Sequence, residues 1–139
     1  MTNSLDTLFD LSLARTQLAR DVDHSLSLHG ISLSDLAILR ELRFEPSHKL
    51  RRSELAQRLG ITPSGVARQV APLERIGLVA RESHDRDARL ALVVLTGTGV
   101  QIVDEALQTA EAAAERVFTA RWSDNERERL SKLLARDRG

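Results

Sequence analysis

A glycine followed at once by a fresh helix start restricts this chain more than any other feature. Residues 53–59, SELAQRL, carry apolar and polar positions at helical spacing, and Gly60 follows them. Glycine readily takes the left-handed conformation that ends a helix. Two residues on comes Thr62-Pro63. Threonine caps the exposed amides of a new helix, and proline suits its first turn, where no N–H is needed. Two helices joined by so short a turn form a helix-turn-helix, whose second helix can enter the major groove of DNA.

The residues after the second helix narrow the reading further. Beyond Gly77 the chain becomes extended, passes through the charged stretch SHDRDAR at 83–89, and returns as LALVVLT, which alternates and is rich in branched residues. That pattern predicts a β-hairpin, a wing behind the recognition helix. Asp87-Ala88-Arg89, then five residues, then Leu95-Thr96 with Gly99 just beyond, resembles the wing signature of the MarR family of bacterial transcription regulators. SELAQRLGI and GVARQVAPLERIGLV match the family's two motif helices, and the order of elements agrees along nearly the whole chain. The chain departs from the pattern twice. Pro72 sits inside the recognition helix, where proline removes a backbone hydrogen bond and usually bends the helix. Arg51 stands before the first motif helix, where a Ser or Thr cap is usual.

Composition sets outer bounds. With 139 residues the chain suits one domain with a real core, built from Leu, Val, Ile and Ala because aromatics are only 3%. There is no cysteine and the single methionine is Met1, so disulfide frameworks, thiolate metal sites and thiol redox sensing are all excluded. No apolar run approaches the roughly 18 residues of a membrane span, and no signal peptide is visible, so a cytoplasmic protein without membrane contact is expected. Formal net charge is zero. The distribution matters more than the sum: residues 40–89 hold eleven basic against seven acidic side chains, and the flanks carry the compensating acidic excess. Charge thus collects where phosphate would lie.

Around the motif the periodicity predicts further helices. Residues 4–28 place Leu8, Leu11, Leu18, Val22 and Leu26 along one stripe, ended by Gly30. Ser32 caps the next helix, which runs to about Arg43, with Ile31 and Leu36 spaced as a hydrophobic staple. Residues 49–51 are expected to pair with the wing strands. From Thr96 a long helix carries Val100, Val103, Leu107, Ala110, Ala114 and Val117 at alternating spacings of three and four, a helix-packing seam. Ser123 and Glu126 form a capping box, so a last helix with Leu130, Leu133 and Leu134 follows a break near Trp122. The expected fold is mainly α with a small β wing. A winged helix-turn-helix lobe at about 32–96 is joined to terminal helices at about 4–30 and 97–137, and these form a dimerisation region.

In the recognition helix, Thr62, Pro63, Ser64 and Gly65 put small groups toward the groove, with Arg68 and Gln69 as long donors behind them. Arginine pairs with guanine O6/N7 and glutamine with adenine N6/N7. Gly65 costs about 1 kcal/mol of helix stability against Ala, which close approach to DNA would explain. Val66, Val70, Leu73 and Ile76 are assigned to the core, and Glu74 and Arg75 to solvent. Arg51 and Arg52 are placed to touch phosphate at a helix end with free amides, or else form a solvated pair. The family resemblance implies that an arginine of the wing tip, Arg86 or Arg89, reaches the minor groove, with Asp87 orienting it.

The four histidines, His24, His29, His48 and His84, show no metal-ligand spacing, and neither a catalytic signature nor a cofactor motif is present. The reading is therefore a non-enzymatic homodimer that binds double-stranded DNA at a pseudo-palindromic operator. By resemblance it is a repressor released by a small anionic or aromatic effector, with Arg15, Arg40 and Arg43 as candidate partners for a carboxylate. A winged-helix protein-interaction module and a metal-sensing regulator are the rival readings. The basic surplus of the motif region speaks against the first.

Overall fold

The computed structural model of the protein describes residues 3–83 and 91–136. Its elements run α1 (Ser4–Leu26), a 3-10 turn (Ser27–His29), α2 (Leu33–Phe44), β1 (Lys49–Arg51), α3 (Arg52–Leu59), α4 (Pro63–Arg75), β2 (Val79–Glu82), β3 (Leu92–Leu95), α5 (Gly97–Arg121) and α6 (Asp124–Ala135). The chain divides into two compact units, one of Leu26–Gln108 and one of Met1–Ser25 with Thr109–Gly139.

The first unit holds the helix-turn-helix and the sheet. Local stereochemistry sets its element boundaries. Gly60 ends α3 with φ +67°, and the Ile61 N–H reaches back to the Ala56 carbonyl at 3.0 Å. The matching bond at the end of α4 runs from Leu78 N–H to Leu73 O at 3.0 Å, with both side chains buried beside it. At the end of α4 the bond satisfies a carbonyl that would otherwise lack a helical partner, while the Ala56 carbonyl also accepts the Gly60 N–H. Helix α4 continues through Pro72, and Ile76 N–H donates to the Pro72 carbonyl at 3.2 Å. Proline removes only its own N–H, so the turn after it still closes.

The sheet is antiparallel with strand order β1-β3-β2. Leu50 faces Val93, and Val79 faces Leu95. The expected pairing of 49–51 with the wing is therefore present. Leu36, Ile38, Leu39 and Leu42 of α2, Leu55 of α3, Val66, Val70 and Leu73 of α4, and Val79, Val93 and Leu95 of the sheet are all buried. Ile76 is not; it is 58% exposed. Ile76 is the C-cap residue of α4, just past its last helical residue Arg75. Thr96 locks the exit of the sheet, its hydroxyl donating to the Gly77 carbonyl at 2.7 Å and accepting from Gly99 N–H at 3.0 Å. A Cβ on Gly99 would collide with the Leu78 carbonyl, so the start of α5 needs glycine for this close approach.

The second unit comprises most of α1, the later part of α5, and α6. Asn3 caps α1 through its side-chain oxygen, which accepts from Asp6 N–H at 2.8 Å. Ser123 and Glu126 cap α6 reciprocally, as the sequence predicts. Arg127 of α6 bonds Glu115 of α5 at 2.7 Å, and Arg121 donates to Gln17 of α1 at 2.7 Å. The apolar stripes are only partly covered within one chain. Leu8 and Leu11 are exposed, Leu18 is half-buried, and only Val22 and Leu26 of the α1 stripe are buried. Along α5 the buried line is Gly99, Val103, Ala106, Ala110 and Ala113, while Leu107, Ala114 and Val117 lie half-exposed at its flank. The sequence from 110 to 114 is nearly all alanine, so apolarity alone does not select one face there. Helix α6 buries none of its residues, and Leu133 and Leu134 are exposed. No helix among the described residues is long and apolar enough to cross a membrane.

Candidate nucleic-acid interface

The interface is built on the first turns of α4. Thr62 adopts an extended conformation and its side-chain oxygen accepts from Gly65 N–H at 3.0 Å, so it caps the helix as expected. The Ser64 hydroxyl lies 3.2 Å from the same oxygen. A Cβ on Gly65 would come to 3.1 Å from the Thr62 hydroxyl. Crowding of the cap is thus one reason for glycine here. Thr62, Pro63, Ser64 and Arg68 are placed at the start and outer side of the helix, and all four are exposed. Arg68, Pro72 and Arg75 follow one another at four and three residues, so Arg75 shares the outward side with Arg68. From sequence alone Arg75 is assigned to solvent. Its spacing of seven from Arg68 is the signal that finds it.

Gln69 is held differently from Arg68. Its Nε2 donates to Asp35 Oδ1 of α2 at 3.3 Å, a part-buried bond at the flank of α4. Asp35 is also the acidic half of the α2 capping box: Asp35 Oδ2 accepts from Ser32 N–H at 3.0 Å, and Asp35 N–H donates to Ser32 Oγ at 3.0 Å.

Ion pairing sorts the basic residues of this unit into two groups. Arg43 forms a two-pronged pair with Asp104 at 2.8 and 3.2 Å, Lys49 meets Glu82 at 2.8 Å, and Arg81 meets Glu74 at 2.7 Å. Arg58 reaches Glu45 at 3.3 Å and Glu41 at 3.5 Å. Glu74 is therefore a structural partner and not a free solvated charge. Among the described residues, Arg40, Arg51, Arg52, Arg68 and Arg75 have no carboxylate partner. The hydrogen bond and charge of Arg43 hold the Asp104 carboxyl below the usual aspartate range, and Asp104 in turn raises the Arg43 guanidinium.

At the start of α3, Arg51 is exposed and Arg52 half-buried. The Arg51 N–H donates to the Glu54 carboxylate at 3.1 Å. Glu54 thus supplies the N3 half of a capping box, and the Arg51 amide is not free for phosphate. Arg15 and Arg40 are exposed, whereas Arg43 is occupied by Asp104. The expected wing-tip residues Arg86, Asp87 and Arg89, with His84, lie outside the described residues. Among the described residues no cluster of three or more His, Asp or Glu is arranged to hold a metal ion.

Comparison with known proteins places this geometry in context. Residues 29–90 match the family model described as the MarR family. An HTH-type transcriptional regulator of Mycobacterium leprae is 34% identical over 111 residues, covering 79% of this chain and 76% of that one. The HTH-type transcriptional repressor YetL of Bacillus subtilis is 27% identical over 128 residues, 92% of this chain and 74% of that one. Among solved structures, Sco3205 of Streptomyces coelicolor, a MarR family transcriptional regulator in complex with DNA, superposes with a TM-score of 0.82 at 25% identity. That match covers 97% of this chain and 87% of the other.

Proposed function

From the premise that this chain belongs to the MarR family of DNA-binding, helix-turn-helix transcription regulators and is not an enzyme, we propose that it is a homodimeric repressor of a pseudo-palindromic operator. The observation that carries the reading is the segregation of its cations. Arg43, Arg58 and Arg81 are neutralised by carboxylates, whereas Arg68 and Arg75 on the outer side of α4 keep their charge for DNA. A neutral protein concentrates its attraction for phosphate in this way without a basic surface overall. Each subunit inserts α4 into a major groove, Arg68 reads a base edge, and Arg51 and Arg52 meet the backbone. Arg86 and Arg89 of the wing carry the minor-groove contact, oriented by Asp87.

Dimerisation is supported by the apolar side chains that the second unit leaves in solvent: Leu5, Leu8, Leu11 and Leu13 with Phe9 on α1, and Leu133 and Leu134 on α6. Two-fold symmetry then spaces the half-sites about one helical turn apart. Repression follows the named role of YetL. With no thiol in the chain, release from DNA comes from a reversible ligand, an organic anion or phenol-like molecule, that favours a dimer with wrongly spaced recognition helices. Arg15 and Arg40 remain the candidate carboxylate partners, since Arg43 is already paired.

Selection of bound sequences from random duplex DNA tests the reading. It should return a two-fold symmetric site. Replacing Arg68 with Ala should cost about 1–3 kcal/mol and relax preference at one base position per half-site. Arg75→Ala should weaken all sequences alike and lower the salt slope by about one unit for each phosphate it no longer touches. If Arg68→Ala left both affinity and base preference intact, the docking of α4 would be wrong.

A further inference from the structure

The bond between Gln69 and Asp35 joins two elements that nothing else in the chemistry of the lobe requires to be joined by polar groups. We propose that Asp35 is a specificity-determining residue: it fixes which end of the Gln69 amide faces DNA, so that Gln69 reads a base by its oxygen. This rests on the reading that α4 enters the major groove.

A carboxylate has only acceptors, so it can hold the Nε2 end of a glutamine but never the Oε1 end. One oxygen of Asp35 is committed to the Ser32 amide and the other faces Gln69, so the carboxylate has no freedom to turn away. An unrestrained glutamine presents either end of its amide at similar cost. Held by one Nε2 hydrogen, it presents Oε1 to the groove, and an acceptor there selects a base with a major-groove donor, adenine through N6, with the second Nε2 hydrogen left for N7, or cytosine through N4. Guanine O6 and thymine O4 meet it oxygen to oxygen and are rejected. The capping box that starts α2 thereby serves the recognition helix 34 residues further on.

Asparagine at position 35 should invert the preference. The Ser32 N–H still demands an acceptor, so the asparagine oxygen takes that side and its NH2 faces Gln69. The glutamine then turns its own oxygen to Asn and its NH2 to the groove, favouring guanine or thymine.

The test is selection from random duplex DNA with four proteins: wild type, Gln69→Ala, Asp35→Asn and Ser32→Ala. Gln69→Ala identifies the position it reads by flattening preference there about 5- to 150-fold. Wild type should select adenine or cytosine at that position, and Asp35→Asn should move the choice to guanine or thymine. Ser32→Ala removes the side-chain half of the same cap and should keep the wild-type choice, which separates reading from mere helix stability. An unchanged base under Asp35→Asn, a shift under Ser32→Ala, or no flattened position under Gln69→Ala overturns the proposal, while wild-type selection of a symmetric site leaves the docking itself standing. Wild type selecting no site would instead bring down the parent reading and this one with it. A measurement on wild type alone provides an independent check. By NMR the Gln69 side-chain amide protons should exchange more slowly with solvent than those of exposed Gln57, and equal exchange would refute the restraint.

Discussion

Apart from the exposed Leu28, the two units of this chain place their leucines differently. In Leu26–Gln108, Leu36, Leu39, Leu42, Leu55, Leu73 and Leu95 sink to 5% exposure or less, and every motif helix has a buried side. In the other unit the buried apolar residues are Val22, Ala110 and Ala113, while Leu5, Leu8, Phe9, Leu11 and Leu13 stand about half-exposed or more. Burial is worth about 25 cal/mol for each Å² of apolar surface, so the first unit stabilises itself and the second leaves much of that gain unclaimed. The homodimer proposed above would account for this, a second copy covering what one chain leaves exposed.

The largest effect is expected from removing the second copy. Light scattering of wild type should give about twice the 15.4 kDa chain mass. Leu8→Glu combined with Leu134→Glu puts two charges on that surface and should return the mass to a single chain. Operator affinity should then fall about a hundredfold or more, because the second half-site loses its tethered reader. A wild-type monomer at micromolar concentration would mean that the exposed leucines need no cover, and the comparison would fail.

A smaller effect sharpens the contrast within one chain. Leu39 is fully buried in the lobe. Leu39→Ala should cost about 2–5 kcal/mol in urea denaturation, from lost transfer energy and the cavity left behind. In the monomeric Leu8→Glu, Leu134→Glu background, Leu11→Ala should stay within about 0.5 kcal/mol of its parent, since its side chain has little burial to lose. Equal losses at the two positions would show that the terminal helices are already packed in one chain.

Legibility in the sequence tracks the range of the interactions involved. The ends of α3 and α4, the Thr62 cap and the Ser123–Glu126 box are readable because each is settled by hydrogen bonds within three to five residues. The pairing of 49–51 with the wing is readable from alternation, since one strand face must be buried. The buried side of α5 is not, because Ala110, Ala113 and Ala114 are chemically alike and only packing distinguishes them. At the interface, the exposure of Thr62 and Ser64 follows from their place at the helix start. Asp35–Gln69 and Arg43–Asp104 cannot be read that way, because they join residues 34 and 61 apart through the rotation of packed helices. Glu54 as the acceptor for the Arg51 N–H is legible in principle from its place three residues after Arg51.

The smallest effect concerns acid, and it separates the units once more. Arg43 and Asp104 link α2 to α5 within the lobe, whereas Arg127 and Glu115 link α6 to α5 in the other unit. In each pair the side-chain hydrogen bond, aided by the arginine's charge, holds the carboxyl below its ordinary value. A carboxylate with a lowered folded-state pKa adds stability that is complete above its unfolded value. That stability is lost as pH falls through the folded one. Asp104→Asn should therefore lower the urea midpoint of the lobe at neutral pH, and the gap to wild type should stay constant down to about pH 5. Below about pH 4 it should close as Asp104 itself protonates. Glu115→Gln should show the same sign in the association of the dimer, with little change in lobe unfolding. Both pairs are solvent-accessible, so the gaps should be small and should shrink in high salt. An Asp104→Asn gap that persisted undiminished to about pH 2 would mean that the lost stability comes from packing of the side chain and not from its charge.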